Sequence, residues 1–278
     1  MTTFRQLWQQ LIPLYDEAEA KAVVLLLLDM CFSMSRTDIY GGSLSTMTAS
    51  QQQQLGNMMR RLAEGEPVQY VTGKEMFAGR LFNVAPGVLI PRPETEELTA
   101  MPLHDDRGAL LDIGTGSGCI AITMKLNHPH MEVSAWDISD EALAIARRNA
   151  TELRADVTFE HQDILRKAQE SNIMPQWDVI VSNPPYICEK EKTLMHDNVL
   201  RHEPHQALFV PDSQPLLFYE AIADYARHAL MPQGELLLEI NPLYAQPTNH
   251  MLAEKGFTHI TIHHDTFGKQ RFATAHMP

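Results

Sequence analysis

The sequence predicts an α/β protein, a mostly parallel sheet with helices on both faces, behind a smaller all-helical segment. Two patterns predict it. From Ala109 onward, short apolar and β-branched runs alternate with longer amphipathic ones. Up to about Gly73, apolar residues recur only at helical spacing. At 278 residues the chain suits one large domain, or a core domain with a smaller companion.

Phe4, Leu7, Leu11 and Leu14 lie three to four residues apart and predict a first helix. A second apolar helix covers roughly Ala18 to Met34. A third begins after Ser50, with Gln53 as its capping-box partner and Leu55, Met58, Met59 and Leu62 as its stripe; Gly65 and Pro67 end it. From Met76 to Ile90 the apolar residues alternate and are broken by Gly79 and Pro86-Gly87, which predicts a β-hairpin. Pro91-Arg92-Pro93 closes it, and Glu94-Thr95-Glu96-Glu97 opens a helix whose acids suit its positive end. Strands follow at Ala109–Ile113, Glu132–Trp136, Val157–His161, Asp178–Ser182, Glu235–Ile240, Thr258–His263 and Arg271–His276. Helices are expected near Cys119–Asn127, Ser139–Leu153, Pro215–Leu230 and Tyr244–Lys255.

The formal net charge is −13, and no Lys/Arg-rich run offers the basic face that grips nucleic-acid phosphates. A protein or small-molecule substrate is expected instead. The longest apolar run, Ala22 to Leu28, is far shorter than the ~20 residues that span a bilayer, and the first residues do not read as a signal peptide. Three cysteines without paired spacing fit a reducing cytoplasm. The closest histidine pairs, His128/His130, His202/His205 and His263/His264, lack metal-ligand spacing, so no metal is expected.

Asp112-Ile113-Gly114-Thr115-Gly116-Ser117-Gly118 ends the first strand and opens a helix. Alternating glycines let backbone approach a ligand closely. A dinucleotide fingerprint needs Gly or Ala where Cys119 stands, and no Gly-Lys-Ser/Thr cradle is present. Gly-x-Gly-x-Gly is typical of S-adenosylmethionine sites. Asp137 ends the second strand, where an acid accepts from ribose hydroxyls; charge at a helix start, beside Ser139 and Asp140, is an equal reading. Asp163, with Ile164 beside it, ends the third strand near where an adenine edge would lie; a solvated strand-end acid is the plainer reading. Gly114, Thr115, Gly116, Ser117, Gly118, Asp137, Asp163, Ile164 and Asn183 form the expected cofactor set.

Trp177 to Ser182 reads as a buried strand stopped by Asn183-Pro184-Pro185-Tyr186. Asn offers both a carbonyl acceptor and an NH2 donor. Two prolines fix φ and leave their carbonyls free, and Tyr186 adds a flat wall. The corner suits a planar group carrying an NH2, an amide or the exocyclic amine of a base; a turn that merely stops a strand is the alternative. Asn183, Pro184 and Tyr186 are the expected catalytic residues, and Pro185 joins them in holding substrate. Asn183 Oδ1 and the Pro184 carbonyl would accept an amide's two N–H bonds. Arg92 and Thr95 read equally as approaching the cofactor or as fixing the Pro-x-Pro turn and capping the helix. Phe77 reads as core.

The chain resembles class I methyltransferases with an Asn-Pro-Pro-Tyr motif, and more narrowly the peptide chain release factor glutamine N5-methyltransferases (the HemK/PrmC family). The matching residues are Glu66-Pro67-Val68-Gln69-Tyr70, Gly73, Phe77, Leu89 to Glu96, Asp112 to Gly118, Val181 to Ile187, Glu203-Pro204, Ala207-Leu208, Asp265, Gly268 and Arg271. The resemblance implies a Rossmann-like, seven-stranded sheet that uses S-adenosyl-L-methionine. It further implies a helical substrate-docking domain at 1–73, a hairpin linker at 74–92 and a catalytic domain at 93–278. The implied substrate is the glutamine of a release factor's Gly-Gly-Gln loop. Many relatives have a glycine-rich stretch at Val210 to Pro215 and Gly at Asn241-Pro242, so loop shape is expected to differ there. A nucleic-acid adenine-N6 methyltransferase shares the tetrapeptide and is the rival activity, and methylation of another protein glutamine is the other alternative.

Overall fold

The computed structural model describes Thr3–Leu103 and Gly108–Pro278; Met1, Thr2 and residues 104–107, within the expected end domains, lie outside the described residues. Two units are distinguished: one comprises residues up to Lys74 with His196–His202, and the other Glu75–Met195 with Glu203–Pro278.

The first unit is helical: α1 (Phe4–Gln9), α2 (Glu17–Phe32), α3 (Arg36–Tyr40), α4 (Ala49–Ala63) and α5 (Val68–Thr72). Each long helix starts where a polar side chain can take an orphan N–H. Asp16 caps α2 by accepting from Glu19 N at 2.8 Å. In α4 the capping box is Thr48 with Gln51, two residues before the expected Ser50 and Gln53, because Thr48 is the last residue with extended backbone. Leu7, Leu11, Val24, Leu27, Leu28, Leu55, Met59 and Leu62 share one core. Leu14 does not join it: α1 stops at Gln9, and the turns before Pro13 leave Leu14 half exposed.

The second unit begins within β1 (Lys74–Phe77), at Glu75, and continues with β2 (Arg80–Asn83). Ala78 (φ 47°) and Gly79 (φ 73°) join them in a tight left-handed turn of the kind hairpins favour. The hairpin is shorter than expected. Val84, Val88 and Ile90 are buried without a strand ladder, since Pro86 has no N–H and Gly87 turns the chain at φ 108°. There follow α6 (Pro93–Thr99), β3 (Gly108–Ile113), α7 (Cys119–Asn127), β4 (Met131–Asp137), α8 (Asp140–Leu153), β5 (Val157–His161), α9 (Ile164–Lys167), β6 (Trp177–Ser182) and β7 (Ile187–Cys188). After α10 (Asp197–His202), which groups with the helical unit, come β8 (Phe209–Val210), α11 (Leu217–Ala229), β9 (Leu230–Glu239), α12 (Ala245–Glu254), β10 (Thr258–His264) and β11 (Gln270–His276).

Seven strands form one sheet in the order β10-β11-β9-β6-β3-β4-β5, with only β11 antiparallel to its neighbours. Strand residues alternate between two cores, as a sheet covered on both faces requires. Leu111, Ile180, Leu236 and Leu238 pack with Tyr219, Ile222 and Leu252 on one face. Leu110, Val179, Val181 and Leu237 pack with Ile120, Ala121 and Leu98 on the other.

The chain runs from β3 out to β5 and then crosses back to β6, so the strand order reverses between β3 and β6. Ligands of open α/β sheets bind at such a crevice beyond the carboxyl ends. The register places the ends level: Ile113 pairs with Trp136 and with Ser182, and Ser182 with Leu238. One residue further on, Asp137, Gly114, Asn183 and Glu239 stand in one row.

Buried Asn149 of α8 braces this edge. Its Oδ1 accepts from Asn83 N (2.7 Å), and its Nδ2 donates to the carbonyls of Asn83 (3.0 Å) and Ser117 (2.8 Å). Asn149→Ala leaves these buried backbone groups unpaired and should destabilise the chain by about 2–4 kcal/mol in urea unfolding; a loss under about 1 kcal/mol would show that water replaces the brace.

Candidate active site

Gly114, Gly116 and Gly118 all have positive φ (76°, 55° and 82°), which bends the chain sharply between β3 and α7. Gly114 and Gly116 line a cavity of about 250 Å³, and a Cβ on either would meet no protein atom, so bare backbone faces the space. Gly118 serves packing: a Cβ there would stand 2.9 Å from Ile122 Cδ1 and 3.1 Å from Ala146 Cβ, where α7 crosses α8. Thr115 and Ser117 are buried under the turn, and neither lines the cavity. The Thr115 hydroxyl donates to Asp112 Oδ2 at 2.7 Å, and Ala121 N donates to the same oxygen at 3.2 Å. Asp112 Oδ1 has no partner among the described residues. Burial pushes this carboxyl up to about 7 despite those two bonds.

Asp137 faces the cavity and also fastens the turn. Its Oδ2 accepts from Gly116 N (2.8 Å) and its Oδ1 from Ser139 N (2.9 Å). Ser139 itself caps α8, accepting from Ala142 N at 3.2 Å. Burial raises the Asp137 carboxyl, and the N–H bonds from Ser139 and Gly116 oppose it. Asp163 lines the same cavity while capping α9, accepting from Leu165 N at 2.9 Å. Ile164, Ile138, Leu165 and Phe218 supply apolar walls. Exposed backbone, two carboxylates and flat apolar surface suit a nucleoside carrying ribose hydroxyls and a planar base.

Asn183, Pro184 and Pro185 line the cavity from the β6 side. Ser182 Oγ donates to the Ile113 carbonyl at 2.6 Å and locks β6 level with β3. Asn183 Nδ2 donates to Thr95 Oγ1 (3.1 Å), and the Thr95 hydroxyl donates to Glu239 Oε2 (2.7 Å). Tyr186 turns away from the cavity. Its ring packs on the core, and its hydroxyl donates to Glu239 Oε1 at 3.0 Å. Burial foremost, and then the nearby Glu239 charge, hold this phenol well above its ordinary range. Glu239 is almost fully buried, and burial raises its carboxyl; the Thr95 and Tyr186 bonds and the Arg271 charge oppose that rise. Arg271 is itself held by Asp265 at 3.2 Å.

Arg92 pairs with Glu203 at 2.6 Å, and Glu203 Oε2 also accepts from Ile90 N at 3.1 Å, which fixes the Pro-x-Pro turn. Phe77 is fully buried core. Asn241, expected only to alter a loop, holds the motif: its Nδ2 donates to the Tyr186 carbonyl (3.1 Å) and to Glu191, and its backbone N donates to Tyr219 Oη (2.9 Å). Val210, in the other departing stretch, forms β8 with Phe209 and pairs with β7.

Glu239 and Asn241 were not singled out as site residues from the sequence, and for Thr95 the sequence offered approach to the cofactor or a capping role, not a bond to Asn183. For Glu239 a signal was present, since it closes a strand whose register runs level with Asn183. Thr95 reaches the site from a helix entered by an irregular turn, which pattern alone does not place.

Residues 94–208 match the family described as Methyltransferase small domain, and residues 5–73 match the PrmC N-terminal domain. A release factor glutamine methyltransferase of Bacteroides thetaiotaomicron is 47% identical over 269 residues, spanning 96% of this chain and 96% of the relative. One from Flavobacterium psychrophilum is 38% identical over 273 residues, spanning 96% and 95%. A methyltransferase from Pyrococcus furiosus shares the fold at a TM-score of 0.54, with 16% identity over 80% of this chain and 98% of that one.

The raised Asp112 carboxyl sets a pH dependence. The folded chain holds this proton between the ordinary carboxylate value and about 7, so stability falls as pH rises through that window. Asp112→Asn removes this term. Its unfolding free energy relative to the parent should improve by a few kcal/mol from about pH 4 to 7 and level off above; a difference that stays flat would contradict the assignment.

Proposed function

The chain belongs to the release factor glutamine methyltransferase family, and from that premise we propose how its own residues methylate the side-chain nitrogen of the glutamine in a release factor's Gly-Gly-Gln loop. The observation that carries the proposal is the side-by-side placement of Gly114 and Asn183 on one cavity, with the Asn183 NH2 already engaged by Thr95. Asn183 therefore presents its oxygen as an acceptor. Gly114, Gly116, Asp137, Asp163 and Ile164 are the residues that would hold S-adenosylmethionine, whose sulfonium supplies an electrophilic methyl group when bound.

The chemical difficulty is the nucleophile, because an amide lone pair is delocalised into its carbonyl. Asn183 Oδ1 and the Pro184 carbonyl accept the two N–H bonds of the glutamine amide and fix its orientation. Proline supplies a carbonyl with no competing N–H of its own. Two acceptors pointing at a nitrogen that gains positive character stabilise it more in the transition state than in the ground state. Such positioning is worth several kcal/mol of barrier. Tyr186 sets the shape of the corner through its ring, packed against the core, and leaves the contact to Asn183, Pro184 and Pro185.

The helical unit, matching the PrmC N-terminal domain, is the proposed docking surface for the release factor. Translation termination places the work in the cytoplasm, and no helix among the described residues is long and apolar enough to cross a membrane. The −13 charge disfavours a nucleic-acid substrate for the same corner.

Methyl transfer from labelled S-adenosylmethionine should label purified release factor and neither DNA nor RNA; the reverse pattern would overturn the reading. Asn183→Ala should lower turnover by roughly a hundredfold or more with cofactor affinity retained, and an unchanged kcat would refute its role. Asp137→Ala should weaken cofactor binding about tenfold or more in calorimetry; an unchanged Kd would count against its ribose contact.

A further inference from the structure

We propose that Glu239 and Thr95 are positioning residues that set which end of the Asn183 carboxamide faces the substrate, through a hydrogen-bond relay of fixed polarity that starts at Arg271. The proposal rests on the glutamine-methylating reading given above.

A carboxamide can face its substrate with oxygen or with NH2, and the two ends have nearly the same shape. Only the oxygen can accept from a substrate amide, so something must forbid the flip. The relay runs through side chains from four separate segments of the second unit. The Arg271 guanidinium, which can only donate, acts on the Tyr186 phenol oxygen by its positive charge and turns the hydroxyl hydrogen away from itself. Tyr186 has a single hydrogen and directs it to Glu239 Oε1 at 3.0 Å. The Glu239 carboxylate has no hydrogen to give, so Thr95 directs its own to Oε2 at 2.7 Å. The Thr95 oxygen is left as an acceptor, and Asn183 must bring its Nδ2 to it, at 3.1 Å. Oδ1 then faces away from Thr95.

The centre of the relay is shielded from solvent: Thr95 and Glu239 are each 2% exposed. A buried relay of this kind is costly to run in reverse, because one donor would meet another. The β9 strand places Glu239 level with Asn183, and α6 brings Thr95 between them.

Glu239→Gln tests the polarity while keeping the shape. Tyr186 still has to donate, so the new amide oxygen takes Oε1's place and its NH2 faces Thr95. Thr95, no longer able to donate to position 239, has its hydrogen free for Asn183, which then turns its oxygen inward and its NH2 toward the substrate. Glutamine methylation by E239Q should fall about tenfold or more in kcat, with cofactor Kd and release-factor KM within about threefold of the parent. Thr95→Val should show the same split, and Thr95→Ser, which keeps the hydroxyl, should restore kcat to within about threefold. In an Asn183→Ala background neither change should lower transfer further, because there is no amide left to orient.

Parent-like kcat in E239Q, or in T95V should E239Q fail to fold, overturns the relay. So does an equal loss in T95S and T95V, or a further loss in the Asn183→Ala background; both would mark a purely structural role. Failure of the methylation reading looks different: the unaltered chain would then transfer no methyl to release-factor glutamine.

Discussion

The site depends on the parallel pairing of β3 with β6. Those strands come from distant parts of the chain, and their pairing ends level because Ile113 sits opposite Ser182 and the Ser182 hydroxyl holds the Ile113 carbonyl. The glycine turn and the Asn-Pro-Pro corner leave the sheet side by side as a result. A shift of one residue would send Asn183 to the wrong face, since side chains alternate along a strand. The crossover that reverses strand order leaves an open crevice at the same place.

Beyond those two strands the edge is organised by polar groups that have little freedom. Asp137 spends an acceptor position of each carboxylate oxygen on Gly116 and Ser139, so the acid that faces the cavity also sets the turn's shape. Glu239 plays the matching part on the other side, gathering Tyr186 and Thr95. Asn241 ties the Tyr186 carbonyl to the next loop. Glu239 and Asn241 are buried polar groups, and the cost of burying them is met only when their partners are present.

Much of this was legible in the sequence, and the limits are physical. Strand periods and breaker residues located the seven strands of the sheet to within a few residues, because the central strands are apolar runs buried on both faces and the edge strands β5 and β10 alternate. The glycine turn, Asp137 and Asn183 were legible because strand ends are where such residues have a mechanical reason to be. Local hydrogen-bond choices were not. Thr48 caps α4 in place of Ser50, and the hairpin stops at Asn83 in place of running to Ile90. The expectation that Tyr186 is a wall for the substrate missed that its hydroxyl has a buried carboxylate to reach. Thr95 and Glu239 meet across 144 residues of sequence, a separation over which no local pattern carries information.

The most direct measurement is a high-resolution structure of the chain with S-adenosylhomocysteine and a glutamine peptide. The account predicts the glutamine nitrogen about 3 Å from both Asn183 Oδ1 and the Pro184 carbonyl, with the Asn183 NH2 still on Thr95. A glutamine side chain bound by the NH2 end of Asn183, or seated on the opposite side of the sheet edge from Gly114, would contradict it.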